Sequence, residues 1–147
     1  MPAPDFSPPH PAASPEAALL ALRPAIAGQP AAIPTPDSVA DFQQQVLRPV
    51  LKFQHATLLA TVADFARDYR LPLATAAPTE ASRLLTELLA RNARLRATVA
   101  GLAVGLLTPP ELAFFRQHRP ELTRRLLDLA EQRVLSSLPE LLTYLPA

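Results

Sequence analysis

The 147-residue sequence has no cysteine, no tryptophan, three glycines and two tyrosines. Without cysteine it can form neither a disulfide nor a thiolate metal site, although that alone does not fix the compartment. Three glycines leave no room for a glycine-rich phosphate loop. Histidine is scarce too: His10, His55 and His118 are scattered, with no second histidine or carboxylate at the spacing of a zinc-binding helix. No serine sits in a nucleophile elbow. The sequence therefore predicts no catalytic residue, no metal and no cofactor, and an enzyme is left open rather than favoured. Long apolar runs are missing as well. The longest, "ATVAGLAVGLL" at 97–107, is eleven residues and too short to cross a bilayer. The start "MPAPDFSPPHP" has neither a basic stretch nor an apolar one, so no secretory signal is read and a cytoplasmic location is the expectation.

What is present is apolar residues, at 49% of the chain, and proline, at 18 positions. Ten of those prolines fall in residues 1–36. That segment reads as a mostly disordered, polyproline-like arm, with a short helix possible over 15–27 between Ser14 as cap and Gly28 as stop. Pro24 argues against that helix running its full length. Residues 37–147 are long enough to bury a core of their own. Net charge is only +1, but residues 48–133 carry thirteen basic side chains against eight acidic ones.

Apolar residues recur at three- and four-residue spacing, and no stretch alternates long enough for a strand. The fold class expected is all-α: a small helical bundle of four to five helices behind the proline-rich arm. One helix should run from Asp37 or Ser38 to about Leu71, ahead of Pro72. The next should run from a Thr79 cap to about Leu107. Thr108-Pro109-Pro110-Glu111 has the form of a capping box opening a short helix to about His118. Pro120 and Glu121 open another, to about Ser137, and "PELLTYL" adds a last turn.

Two features of the first long helix break the rules for helices. Pro49 removes the partner of the Gln45 carbonyl and crowds it with its ring, at a cost of about 3 kcal/mol; a kinked but continuous helix is expected. Gln54 sits inside the stripe of Leu47, Leu51, Leu58 and Val62 that should face the core. The following helix places Asn92 and Arg96 within its own apolar arc, and Arg133 lies on the edge of the arc of the last long helix. If the two long helices pack face to face, Gln54, Asn92 and Arg96 converge. An arginine there needs a carboxylate, carbonyls, water or an anionic ligand. Arg48, Lys52 and His55 form a third face, most simply a solvated one.

Val46, Val50 and Phe53 make a second apolar patch opposite the main stripe. Gly101 and Gly105 lie beside Ala93 and Ala97 as a small-residue groove. Either could receive a partner helix or a second copy of the chain.

From Val46 onward the chain resembles a family of small uncharacterised bacterial all-helical proteins. The resemblance rests on "VLRPVLKFQ" (46–54), "LRATVAGLAVGLLTPPE" (95–111) and "LTRRLLDLAEQRV" (122–134), and covers about 90 residues. It implies a helical fold and no activity. Some look-alikes carry the label "glyoxalase", but a glyoxalase I-type site needs paired βαβββ modules, and this sequence offers no strands for them. The functional expectation is a protein–protein interaction or oligomerisation module using Val46, Val50, Phe53, Gly101 and Gly105. The alternative is a binding protein or enzyme with a site for an anionic small molecule around Arg96, Asn92, Gln54 and Arg133. A weak nucleic-acid module comes third: the net charge is small and there are few aromatics for bases to stack on.

Overall fold

A computed structural model describes residues 2–4, 15–27 and 36–146. The expected Ser14 cap, the Gly28 stop and most of the arm lie outside the described residues. Within them the chain is helical, with no strand. The segments are α1 (Pro15–Ala21), α2 (Val39–Phe42), a π-helical segment (Gln43–Leu47), α3 (Arg48–Phe53), α4 (His55–Asp68), α5 (Pro78–Arg91), α6 (Ala93–Val104), α7 (Pro109–Gln117), α8 (Arg119–Ser136) and α9 (Leu138–Leu142). These are more segments than the four to five helices expected, because both long helices are interrupted. No helix among the described residues is long and apolar enough to cross a membrane.

The interruptions have identifiable causes. Pro49 has no N–H to give the Gln45 carbonyl. The chain answers by widening the preceding turn, and the Arg48 N–H reaches five residues back to the Gln43 carbonyl. Backbone angles stay helical through Phe42, Leu47 and Arg48, so the helix passes Pro49 by changing its winding. At Gln54 (φ −87°, ψ 11°) α3 gives way to α4. The second long helix breaks at Asn92, whose backbone is extended (φ −84°, ψ 104°) and whose side chain accepts from Leu95 N at 2.9 Å. Asn92 is therefore the N-cap of α6. The capping box at Thr108 and Glu111 forms as expected, with both halves made. Thr79, by contrast, is inside α5, which starts at Pro78 after an Ala77 cap.

α8 is the central element. It packs against α4, α5, α6, α7, α9 and the π segment, through Leu122, Leu126, Leu127, Ala130 and Val134 at one-face spacing. Phe42 stacks on Phe114 at 5.2 Å between ring centroids, so α2 is held against α7. The chain leaves α4 through a left-handed residue: Arg70 has φ 55°, and the Leu71 N–H bonds the Ala66 carbonyl at 2.9 Å. That bond is the hallmark of a Schellman turn, whose left-handed position favours glycine. Arg70→Gly is expected to stabilise the fold by about 1 kcal/mol, read as a higher urea midpoint with an unchanged slope.

α1 buries none of its side chains, and the helix stops at Ala21, before Pro24. The segment after it is fastened to the bundle. Arg23 forms a two-pronged ion pair with Glu111 and also donates to the Leu106 carbonyl at 3.2 Å. Lys52 donates to the Ala25 carbonyl at 2.7 Å. Residues 22–27 thus form a strap tying the N-terminal region to α3 and to the turn between α6 and α7.

Candidate functional site

The sequence pattern brings Gln54, Asn92 and Arg96 together; in the structure the side chain of each is bonded to a different backbone group. Gln54 donates to the Leu102 carbonyl at 3.0 Å, near the far end of α6. Asn92 caps the start of that helix, on the rim of an apolar cleft of about 320 Å³ shared with Tyr69, Leu84 and Arg91. Arg96 donates to the Leu89 carbonyl at 3.1 Å, closing the last turn of α5. The helix ends at Asn92, so Asn92 and Arg96 share no continuous face with the residues before them.

The interface set is also rearranged. Val46 and Val50 are 2% and 0% exposed, so this second patch is covered by the chain itself and is closed to a partner. Leu47 and Leu51 of the main stripe are buried as well, so this helix is enclosed on two sides. Phe53 is 43% exposed. Gly101 and Gly105 are exposed as well, and a Cβ at Gly101 would meet nothing within 4 Å. Among the described residues no helix presses into that groove at Gly101. At Gly105 a Cβ would lie 3.1 Å from the Gly101 carbonyl.

Of the four candidate ligand residues, Arg133 lines a polar cleft. Arg48, Leu51, Leu129, Gln132, Arg133, Ser136 and Ser137 enclose about 400 Å³ between α3 and the last turns of α8. Arg48 arrives there because of Pro49: it is the residue that closes the widened turn, and it donates to Gln44 Oε1 at 2.8 Å. Arg133 is half-buried and donates to His55 Nδ1 at 3.3 Å, while His55 Nε2 lies 2.8 Å from Glu140 Oε2. The network thereby assigns the His55 proton to Nε2, which donates to Glu140. Among the described residues neither Arg48 nor Arg133 has a carboxylate within salt-bridge distance. Burial, and after it the charge of Arg48, lowers the Arg133 pKa from the ordinary guanidinium value. Two guanidinium groups thus share one cleft, with no carboxylate of the described residues between them.

The stripe Arg48, Lys52, His55, expected to be solvated, is divided among three roles: Arg48 lines the cleft, Lys52 holds the strap and His55 orients Arg133. Sequence reasoning missed Arg48. The available signal was that neither Arg48 nor Arg133 has an acid three or four residues away, unlike Arg83, Arg124 and Arg125, which pair within their helices. Arg96 shares that signal, so the signal does not select the pair by itself.

A second ionic site holds the strap. Glu111 is 9% exposed. Burial would push its carboxyl pKa up, but the Arg23 guanidinium and the Thr108 N–H outweigh that and hold it below the usual carboxylate value. A depressed carboxylate stabilises the folded form above its unfolded pKa of about 4.3, and that stabilisation is lost as pH falls through the folded value. Acidification into that range is expected to release residues 22–27 before the bundle unfolds, seen as faster amide exchange confined to the strap. Arg23→Met should give the same release at neutral pH, at a cost of about 1–2 kcal/mol, and leave the α7 cap intact.

No protein-family model, curated protein or solved structure matches the chain. Function therefore has to be argued from the site.

Proposed function

We propose that the protein binds a small oxyanion-bearing ligand, a carboxylate or phosphate, in the cleft between α3 and α8. The observation that carries this is the pairing of Arg48 and Arg133 in one cleft without a carboxylate of the described residues beside either. Guanidinium groups suit such ligands because their fork of donors matches two oxygens at once. The cleft volume lies within the range of small-molecule sites. The role proposed is binding: Ser136 donates its hydroxyl to the Arg133 carbonyl at 3.1 Å, and is not paired with a base.

The test is thermal unfolding with increasing inorganic phosphate at low ionic strength. A ligand that binds only the folded form raises the melting temperature as its concentration passes Kd. The parent protein should show this rise, Arg133→Met should lose it, and Arg96→Leu should keep it. A rise of equal size in Arg133→Met would end the proposal. A second reading, association with a partner or a second copy, rests on exposed Phe53 and the open face at Gly101. A sedimenting mass above that of one chain, abolished by Phe53→Ser, would carry it.

A further inference from the structure

The cleft at Arg48 and Arg133 does not end at Leu129 and Gln132. Those two residues also line a neighbouring cleft of about 250 Å³, completed by Gln43, Arg124, Arg125 and Asp128. Positions 125, 129, 132, 133 and 136 follow the three- and four-residue spacing of one helix face, so the two clefts lie end to end along α8. The π segment and α3 form the opposite wall, with Gln43 at one end and Arg48 at the other. Arg125 is fixed to that wall, donating to Gln43 Oε1 at 2.8 Å. From Arg125 to Arg133 the helix rises roughly 12 Å at 1.5 Å per residue.

Each end of this groove holds two arginines, and the middle holds none. The two residues common to both clefts are a leucine and an amide, with Asp128 close by on the same helix. A ligand charged along its whole length would set its central charges against Leu129 and Asp128. Charges confined to the two ends would meet a guanidinium pair at each end and keep the ligand's uncharged part against Leu129, Gln132 and Asp128. The ends also differ in strength. Arg124 and Arg125 are partly offset by Asp128 at 3.7 Å and Glu121 at 3.1 Å, whereas Arg48 and Arg133 are not offset. No aromatic side chain lines either cleft, so nothing there would hold the ligand by stacking on a ring.

We infer that the groove accepts a small molecule with two anionic groups joined by an uncharged spacer, one group at Arg48 and Arg133 and the other at Arg124 and Arg125. This rests on the anion-binding reading of the first cleft and adds the class of ligand.

The probes are methyl phosphate, ethanediol bisphosphate and hexanediol bisphosphate, titrated calorimetrically into the full chain at low ionic strength. Linking two groups that can engage together makes the second contact intramolecular, so the hexanediol compound should bind about tenfold or more tightly than methyl phosphate. The ethanediol compound is too short to reach both pairs and should gain little. Arg125→Met should bring the hexanediol compound down to the affinity of methyl phosphate. Arg124→Met, which leaves the contact between Arg125 and Gln43 in place, should remove part of the gain. Equal affinity of the parent for methyl phosphate and the hexanediol compound would overturn the inference and leave the single-anion site standing. A gain that survives both variants would also overturn it, by placing the second group elsewhere. Failure of all three probes to bind the parent would overturn the inference together with the reading on which it rests.

Discussion

Val50→Asp abolishes folding: the far-ultraviolet circular dichroism of the purified variant is expected to lose its helical minima at room temperature. Val50 is 0% exposed within the main core cluster. Removing it forfeits about 1.5–3 kcal/mol of apolar burial. Placing a carboxylate there adds several kcal/mol more, because a charge buried in an apolar cluster keeps its desolvation penalty. A domain of this size has about 5–15 kcal/mol of stability in total, so the sum removes most or all of it. The result also discriminates between roles for this patch. A folded, soluble variant changed only in self-association would mean that Val50 faces a partner and not the core.

The second large effect has the opposite sign for stability. Arg133→Met should make the ligand-free protein more stable while removing its response to phosphate. The folded state disfavours the Arg133 charge through burial and through Arg48, and methionine keeps most of the apolar stem without that charge. Solvent reaches the half-buried group and screens it, so the expected gain is modest, about 0.5–1 kcal/mol. The effect on binding is the larger one, since a bidentate partner is removed. A rise in melting temperature without ligand, combined with no rise in phosphate, would be the mark of a site held ready at the expense of stability. Destabilisation without ligand would mean instead that the bond to His55 outweighs the repulsion.

Much of the helical framework can be read from the sequence, because its determinants are local. The Thr108 and Glu111 box, the apolar spacing of α8 and the stop before Pro72 each lie within a few residues of the feature they set. The failures occurred where one residue had two possible uses. Asn92 fits an apolar arc on a wheel, but its side chain gains more by taking the Leu95 N–H and starting a new helix. Pro49 was recognised as a disturbance, yet whether the helix bends or widens depends on the packing of both flanks. The candidate site was legible only in part. Arg133 was picked out as an arginine at the edge of an apolar arc. Its partner Arg48 was assigned to solvent, since nothing in a helical pattern says that α8 lies across that face. The link from Arg23 to Glu111, 88 residues apart, has no local signal at all.

The widened turn at Gln43–Leu47 can be regarded as one residue too many for an ordinary helix, accommodated without breaking the rod. Each helical residue turns the chain by about 100°, so the segment acts as a fixed phase shift between α2 and α3. Deleting one of the three glutamines would cancel it. The lost residue and the lost phase shift would offset each other, so Phe42 would keep its place on Phe114, and Arg48 and Val50 theirs. Gln44 and Gln43 are also the residues that hold Arg48 and Arg125, so a single deletion among them would spare the aromatic stack and fall on the arginine groove.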